Sequence, residues 1–337
     1  MFFCPMSRCR LVTHARRARE VVVRVACPMR QRPRTSSPRP FVCLPLSPEE
    51  IMVERRAIPV FYTPKQTAPN NVSFSPSAGK PALVVRAWEE SGIALEIIEP
   101  EPASIEELSR AHDRRYVEDV LDGRRDNGFD NRIPEVNATL PWTSGSLRSA
   151  VMYAARTGES CFSPTSGFHH ASYDSAGGFC TFNGLMVAAL ALRAEHPLAR
   201  VAILDCDHHF GDGTEDIIER TGSREWVSHY TFGAADAVRS RAVDWLERLP
   251  EIVATTIEGC GVAIYQAGAD PHVDDELGRV LTTEQLAERD RIVFAECVRA
   301  GVPVVTNLAG GYQRPVSKVV ALHVQTLREF DRVRAAR

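Results

Sequence analysis

The sequence predicts an α/β fold, a single domain with an open, mainly parallel sheet and helices on both faces. Val201–Leu204, Val262–Gln266 and Val304–Leu308 are short apolar runs without polar alternation, which is typical of strands buried on both faces. Each run is reached through a segment of helical spacing, so strands and helices alternate along the chain. Ligands of such sheets bind at the carboxyl ends of the strands, so we expect the active site at that edge.

The predicted sheet begins near residue 58. Ile58–Tyr62 is a short apolar run that ends at Thr63-Pro64, which indicates a strand. Pro81–Glu90 has helical spacing, and Gly92 follows it as the expected C-cap. Leu95–Ile98 is the next predicted strand. The order strand, helix, strand favours a parallel pair at the start of the domain.

Two further segments have clear helical signals. Ser104 begins the sequence Ser-Ile-Glu-Glu, and Glu107 three residues on completes a capping-box pattern. Leu185–Ala194 is a strongly apolar helix. The sequence shows no internal repeat and no clear interdomain linker, so we predict one domain from about residue 55 to residue 330.

The composition is that of a globular protein. The 337 residues are 44% hydrophobic and 25% charged, which is enough for a sizeable core without disulfides. The 40 basic and 43 acidic residues give a net charge of −3, so there is no basic excess to predict nucleic acid as a partner. No stretch approaches the roughly 18 apolar residues that indicate a membrane span, so we expect no membrane partner.

The positive charge is concentrated in the first 51 residues. This leader contains ten arginines and three acidic residues, and its apolar runs, such as Val21–Val23, are too short for a signal peptide. An Arg-rich, acid-poor leader resembles a transit peptide. The interpretation that we prefer is a poorly structured segment preceding the true start at Met52, because the regular pattern begins near Ile58.

The cysteines are scattered. Four of the nine lie in the leader, and the other five show no Cys-x-x-Cys spacing. They are typical of reduced, packed cysteines, which predicts a cytoplasmic protein.

The densest polar cluster follows the predicted strand Val201–Leu204. Residues 205–213 read Asp-Cys-Asp-His-His-Phe-Gly-Asp-Gly. So many acids and histidines at a strand end are expensive to desolvate without a purpose. Alternation places Asp205, Asp207 and His209 on one side, where a carboxylate and an imidazole suit zinc. A solvated loop with incidental histidines is the alternative.

Three more clusters lie in loops of the predicted sheet. Gly167-Phe168-His169-His170 carries adjacent histidines, which can act as a general base and its partner, although such pairs are more often surface residues or metal ligands. Asp270 follows the strand Val262–Gln266, where a lone Asp is often a helix cap. Gly310-Gly311-Tyr312 follows the strand Val304–Leu308, and paired glycines allow the backbone to approach a ligand.

Taken together, these stretches resemble the histone deacetylase superfamily, which includes the acetylpolyamine amidohydrolases and the acetoin-utilisation proteins. The resemblance covers about residues 58 to 325 and implies an arginase/deacetylase-like fold. The matching stretches are His112-Asp113-Arg114-Arg115-Tyr116-Val117, Gly167-Phe168-His169-His170-Ala171, Gly178-Phe179-Cys180, residues 205–213, Gly268-Ala269-Asp270, Asp275-Glu276-Leu277-Gly278 and Gly310-Gly311-Tyr312.

The resemblance implies a metal-dependent amidohydrolase. Its zinc ligands are Asp207, His209 and Asp270, with a fourth position open for water and the substrate carbonyl. The remaining catalytic residues are His170 as general base held by Asp212, His169 held by Asp205, and Tyr312 as hydroxyl donor to the oxyanion.

The resemblance also implies where substrate and a second cation bind. Gly178 and Phe179 line a narrow tunnel for the acyl-lysine-like arm, and Leu277 lies at its mouth. Asp130 is a candidate for the carboxylate that grips the substrate backbone. A structural potassium ion is bound by Asp205, Asp207, His209 and Ser228, partly through main-chain carbonyls.

Three positions depart from the family pattern. Phe210 replaces the second histidine of the 205–213 string, and the arginine that the family keeps near the first helix for acetate release has no clear equivalent around Lys80-Pro81. Between residues 229 and 261 the chain is shorter than the family, lacks the glycine-rich loop and the following strand, and has a helix-like stretch, Ala234–Leu249. We expect Phe232 to supply the aromatic wall that the missing loop would provide.

The function we predict is a zinc-dependent deacylase that hydrolyses the amide of an acetylated amine, of acetyl-lysine or acetylpolyamine type. The alternative is a non-catalytic metal-binding module of the same fold, which the presence of His170 and Tyr312 disfavours. An arginase-like enzyme with two metal ions would need more Asp and His ligands than this chain offers.

Overall fold

Seven strands form one sheet in the computed structural model, which describes residues 56–336. The sheet order is β2-β1-β3-β7-β6-β4-β5, and every neighbouring pair is parallel. The strands are β1 (Ile58–Phe61), β2 (Leu95–Ile98), β3 (Cys161–Phe162), β4 (Val201–Asp205), β5 (Val227–Thr231), β6 (Val262–Gln266) and β7 (Val304–Asn307).

Helices cover both faces of this sheet, so the predicted α/β class is confirmed. The helices of the described residues are α1 (Lys80–Glu89), α2 (Ile105–Ala111), α3 (Arg114–Leu121), α4 (Pro134–Thr157), α5 (Gly184–Glu195), α6 (Asp212–Arg220), α7 (Ala242–Ile257), α8 (Thr283–Ala300) and α9 (Ser317–Ala335). None of these helices is both long and apolar enough to cross a membrane.

Strand β4 shows why the apolar runs do not alternate with polar residues. All five of its residues are buried. Ala202 and Leu204 join the core that contains α7, α8 and α9, whereas Val201 and Ile203 join the core that contains α4 and α5. Successive side chains of a strand point to opposite faces, so a sheet covered on both sides needs apolar residues at every position.

The predicted element boundaries are close to the observed ones. The capping box is present, because the Ser104 hydroxyl accepts from the Glu107 amide and the Glu107 carboxylate accepts from the Ser104 amide. Gly92 is not the C-cap of α1. The cap is Glu90, and Gly92 adopts a left-handed conformation two residues later, with φ of 79°.

The region between β5 and β6 differs from its prediction. The helix predicted at Ala234–Leu249 is α7, which begins eight residues later at Ala242 and continues to Ile257. Phe232 is fully buried against Trp245, with ring centroids 4.3 Å apart. The expectation that Phe232 lines the substrate entrance is therefore wrong, because its ring belongs to the core beneath α7.

The described residues lie within one compact unit, Glu54–Arg337. The leader of residues 1–51 and the proposed start at Met52 lie outside the described residues, so those predictions stay predictions. The five cysteines of the described part are unpaired and buried, which agrees with the expected packed thiols.

Candidate active site

The carboxyl edge of the sheet brings the four polar clusters together. Strands β4, β6 and β7 are paired in register, with Asp205 opposite Gln266 and Gln266 opposite Asn307. The chain therefore leaves three neighbouring strands at the same level. The segment with the adjacent histidines follows β3, which pairs with β7 on the other side. Parallel pairing alone places these loops at one edge of the sheet.

Three potential metal ligands converge at this edge. Asp207, His209 and Asp270 each offer a ligand atom, and these atoms lie within 4.8 Å of one another. His209 Nδ1 is 3.1 Å from both Asp207 Oδ1 and Asp270 Oδ2. Two of the ligands are almost fully buried, whereas the His209 side chain is 32% exposed. No second group of this kind was found among residues 56–336.

The electrostatics of this cluster fit a cation. Burial raises the pKa of Asp270, and the Asp207 carboxylate beside it raises the pKa further, to about 8. Burial opposes a charge on His209 as well, but the same two carboxylates outweigh it and raise the pKa of His209 to about 10. The two carboxylates thus favour a positive charge at the point they share, which protonated His209 supplies here, and carboxylate oxygen with imidazole nitrogen is a donor set that zinc accepts.

Each of the adjacent histidines has a carboxylate partner. His169 Nδ1 lies 2.8 Å from Asp205 Oδ2, and His170 Nδ1 lies 2.6 Å from Asp212 Oδ1. The two imidazole rings are neighbours, with centroids 4.1 Å apart. A carboxylate at Nδ1 fixes the tautomer, so Nε2 of each ring is the nitrogen available to other groups.

The two histidines have opposite pKa shifts. Burial disfavours the charged form of His169, but the Asp205 and Asp207 carboxylates outweigh burial and raise its pKa to about 9. For His170 burial dominates, and together with the charge of His169 it lowers the pKa. Two neighbouring groups whose pKa values are pushed apart can carry and accept a proton, respectively, at the same pH.

Tyr312 lies beside these groups, and its backbone is held by Asp275, for which no role was predicted. The amide of Tyr312 donates to Asp275 Oδ2 at 2.7 Å, and the amide of Leu277 donates to Asp275 Oδ1 at 3.0 Å. Tyr312 is 6% exposed. Burial and the charges of Asp207 and Asp270 raise the pKa of its hydroxyl well above the usual range, so the hydroxyl stays a proton donor.

Two glycines allow the loops to approach the ligand carboxylates. A β-carbon on Gly310 would lie 2.6 Å from both Asp207 Oδ2 and Asp270 Oδ2, and a β-carbon on Gly268 would lie 2.8 Å from Asp207 Cα. The amide of Gly310 donates to Asp207 Oδ2 at 2.8 Å. The sequence pattern indicated close backbone approach here, and the structure shows that the approach is to the carboxylates.

The aromatic rim of the site is formed by Phe74, Phe129 and Phe179, and we use that name for these three residues. The Phe74 ring stacks 5.9 Å from Tyr312 and 6.3 Å from Phe179, and Phe129 lies 6.2 Å from Phe179. Phe74 comes from the loop before α1 and is 42% exposed. It was missed because nothing in the sequence of that loop resembles a motif.

The other predicted substrate residues are spread around this rim. Gly178 packs against the His170 ring, since a β-carbon there would lie 2.4 Å from His170 Cδ2. Leu277 is 40% exposed, as expected for a residue near an entrance. Asp130 follows Phe129, is exposed and has a left-handed backbone, with φ of 56°.

Lys80 was given no role in the sequence analysis, which used it only to mark where the family's arginine has no clear equivalent. The structure places Lys80 fully buried at the start of α1, with Nζ donating to the main-chain oxygen of Ala309 at 2.6 Å. Burial lowers its pKa to about 8, although Asp270 and Asp207 act in the opposite direction. A buried amine thus supports the loop that leads to Tyr312.

The predicted potassium ligands lie at two neighbouring strands. Asp205 ends β4, and Asp207 and His209 follow it in the loop. Ser228 lies in β5, where it pairs with Ala202 of β4. The contacts among the described residues do not by themselves identify a potassium site, so this assignment stays a prediction.

Comparisons with known proteins agree with the resemblance. The family profile described as histone deacetylase domain matches residues 76–238. An uncharacterised protein of Picosynechococcus is 28% identical over 242 residues, which are 64% of this chain and 78% of that protein. A probable deacetylase of Methanothermobacter thermautotrophicus is 28% identical over 174 residues, which are 50% of this chain and 53% of that protein.

One solved structure shows how far the fold is shared. The crystal structure of acetylpolyamine aminohydrolase from Burkholderia pseudomallei superposes with a TM-score of 0.64 at 19% identity. The match covers 82% of this chain and 99% of that one. At this identity the likeness shows a common fold.

Proposed function

Because this chain belongs to the histone deacetylase superfamily and is a deacetylase-type hydrolase, we propose that it is a zinc-dependent deacylase. The proposed reaction is hydrolysis of the amide of an acetylated amine, of acetyl-lysine or acetylpolyamine type. The observation that carries the proposal is the convergence of Asp207, His209 and Asp270 beside two histidine–carboxylate pairs.

The metal would be held by these three side chains. Their donor set is that of a zinc site, and two of the three donors are buried carboxylates. A zinc ion bound there supplies a Lewis acid for the acyl carbonyl and for water. A potassium ion at Asp205, Asp207, His209 and Ser228 remains part of the proposal by resemblance alone.

His170 is the proposed general base. Its Nδ1 is engaged by Asp212 at 2.6 Å, which leaves Nε2 to accept a proton from the attacking water. The lowered pKa of His170 keeps the ring neutral before the reaction. The imidazolium that forms can then donate this proton to the departing amine. His170 alone thus accepts and delivers the proton.

His169 has a different proposed role. Against the effect of burial, the Asp205 and Asp207 carboxylates raise its pKa to about 9, which favours the charged form of the ring in the metal-free protein. Its Nδ1 is held by Asp205, and the ring is almost fully buried next to His170. A fixed buried charge stabilises negative charge that develops nearby, without any reorganisation during the reaction.

Tyr312 is the proposed donor to the oxyanion. Its hydroxyl keeps its proton because burial and two nearby carboxylates raise its pKa. Its backbone is tied to Asp275, and its ring is stacked on Phe74. Removal of one such donor typically costs about 10²–10³ in kcat. Gly178, Phe179 and Leu277 are the proposed substrate contacts around it.

Acetate release tests this proposal. Zinc-loaded protein is incubated with a panel of acetyl-lysine peptides and acetylpolyamines, and its zinc content is measured in parallel. We expect turnover on one substrate class and a loss of about 10²–10³ in kcat for Tyr312→Phe. Tyr153→Phe is the matched control, because the Tyr153 hydroxyl contacts Glu159 away from the site.

Two outcomes would contradict the proposal. Zinc-loaded protein that releases acetate from no member of the panel would favour the non-catalytic module. Equal activity of Tyr312→Phe and Tyr153→Phe would remove Tyr312 from the mechanism. The panel also separates acetyl-lysine from acetylpolyamine substrates.

A further inference from the structure

We propose that Arg289 is a positioning residue, which holds the two loops that carry the metal ligands at a fixed separation. It lies in α8, outside every motif that the sequence analysis singled out. The proposal rests on the proposed metal site, because it predicts that zinc affinity depends on this arginine.

The Arg289 guanidinium bridges the two ligand loops. Its Nη1 donates to the main-chain oxygen of Cys206 at 3.2 Å and to that of Gly268 at 2.7 Å. Cys206 immediately precedes the ligand Asp207, and Gly268 lies two residues before the ligand Asp270. One side-chain nitrogen therefore contacts both loops within two residues of a ligand.

The bridge begins where the sheet stops joining these loops. Strands β4 and β6 are paired up to Asp205 and Gln266, and the last bond between them runs from the Cys206 amide to the Gln266 oxygen at 3.0 Å. Beyond that point no main-chain hydrogen bond joins the two loops among the described residues, and the His208 amide donates instead to the Asp270 side chain at 3.3 Å. A buried carbonyl without a donor is costly, and Arg289 satisfies one carbonyl on each loop.

The guanidinium is itself held rigidly. Asp290 Oδ1 accepts from Arg289 Nε at 2.9 Å and also from the Tyr265 hydroxyl of β6. Asp290 Oδ2 accepts from the Thr326 hydroxyl of α9 at 2.7 Å. Arg289 is 2% exposed and Asp290 is 1% exposed. The bridge is thus anchored to the sheet and to a second helix, so it can transmit their rigidity to the loops.

Arginine suits this position for a geometric reason. Its planar fork presents five donors in a fixed arrangement, so it can engage Asp290 and two carbonyls at once. Lysine offers a single nitrogen on a flexible stem and cannot keep all of these contacts in place. A role that depended only on the charge opposite Asp290 would tolerate lysine, whereas a positioning role would not.

Zinc affinity of the folded protein is the measurement that separates the two roles. The dissociation constant for zinc is determined by chelator competition for the parent and for Arg289→Lys, and the unfolding midpoint of each metal-free protein is recorded. We expect zinc binding to weaken about 10- to 100-fold, as for other residues that orient metal ligands from outside. The visible spectrum of the cobalt-loaded variant should differ from that of the parent.

Milder and matched variants keep the test decisive if Arg289→Lys does not fold. Thr326→Val loosens only the anchor of Asp290, and the double change Arg289→Met with Asp290→Asn removes both charges together. Arg291→Gln is the surface control, since Arg291 is exposed and paired with Glu288. Leu249→Ala is the stability control, because Leu249 is fully buried in the core as part of α7 and belongs to neither ligand loop.

The outcomes distinguish this inference from the proposed function. A folded Arg289 variant that binds zinc within about twofold of the parent would overturn the positioning role. Equal weakening in Leu249→Ala would show that lost stability alone explains the effect. Failure of the parent protein to bind zinc would instead refute the proposed metal site.

Discussion

The floor of the site, formed by Asp207, His209 and Asp270, differs from the aromatic rim in how its residues are held. The floor is supported by main-chain hydrogen bonds, such as the one from the Gly310 amide to Asp207, and both its carboxylates are buried. The rim is held by ring contacts, and Phe74 is 42% exposed. The loops that directly follow β4 and β6 thus carry the potential metal ligands, whereas the rim includes a ring from a more exposed loop.

The largest expected effect concerns the floor. Asp270→Asn removes one of two buried carboxylates that face each other across His209. Zinc affinity should fall by more than about 100-fold, since even residues behind the ligands account for that much. The unfolding midpoint of the metal-free protein should rise at neutral pH, because burial and the Asp207 carboxylate raise the pKa of Asp270, so that the folded chain holds a proton that the unfolded chain releases.

Chelator competition and calorimetry on the metal-free protein check both halves of this prediction. Asp274→Asn, an exposed acid four residues on, is the control and should change neither quantity. A lower midpoint for Asp270→Asn would show that the two carboxylates do not destabilise the metal-free protein.

The next effect concerns the proton carrier above the floor. His170→Gln should lower kcat by about 10²–10⁴ on the substrate identified in the acetate-release panel. Zinc affinity should stay near that of the parent, since His170 is not among the converging ligands. Stopped-time acetate assays at saturating substrate measure kcat, and His196→Gln, outside the site, is the control. If His170→Gln weakened zinc binding as much as Asp270→Asn does, His170 would have to be counted among the metal ligands.

A smaller effect concerns the rim. Phe74→Ala should raise KM by roughly 2- to 10-fold, the range of an aromatic contact, with little change in kcat. Phe232→Ala should leave KM unchanged but lower the free energy of unfolding by about 3–5 kcal/mol, because Phe232 packs on Trp245 in the core. Initial rates over a range of substrate concentrations, with urea unfolding, measure both. A raised KM for Phe232→Ala without loss of stability would show that Phe232 lines the substrate entrance after all.

The smallest effect at neutral pH concerns His112, which supports the loop that follows His170. Its ring contacts the Ser172 oxygen and accepts from the Asn183 amide, and burial lowers its pKa to about 4. Below pH 6.5, the ordinary pKa of histidine, His112 binds a proton in the unfolded chain but stays neutral in the folded chain. Stability should therefore fall by about 3 kcal/mol as the pH drops from 6.5 to 4.

Urea unfolding of the metal-free protein at several pH values measures this loss. His112→Gln is less stable at neutral pH but should show a shallower decline with acid. Parallel curves for the parent and the variant would assign the acid sensitivity to other groups.

The comparison of floor and rim also explains what the sequence could predict. Strands β4 and β6 are fully buried and lack polar residues until their last positions, Asp205 and Gln266, so the two loops that follow them could be placed at one edge of the sheet. Helix α4 was missed because Pro141 and Gly145 lie inside it and usually end helices. In the folded chain the Pro141 oxygen accepts from Ala103, and Gly145 leaves room for residues 101–103 to pack against the helix.

Other residues were missed because their partners exist only in the folded chain. Lys80 and Arg289 donate to main-chain carbonyls of distant loops, and carbonyls have no signature in a sequence. Phe232 was expected at the substrate entrance, whereas Phe74 was not singled out in the sequence. Only packing decides that Phe232 enters the core and Phe74 reaches Tyr312.

The glycines beside the ligands have a consequence for protein engineering. A side chain at Gly268 or Gly310 would meet a ligand backbone or carboxylate within 2.8 Å, so these positions admit a single residue type. Most variants of a mutational library that changes these two positions should therefore lose the geometry of the metal ligands. Libraries that aim to change substrate preference should instead vary the loop around Phe74, where half-exposed positions leave sequence space open.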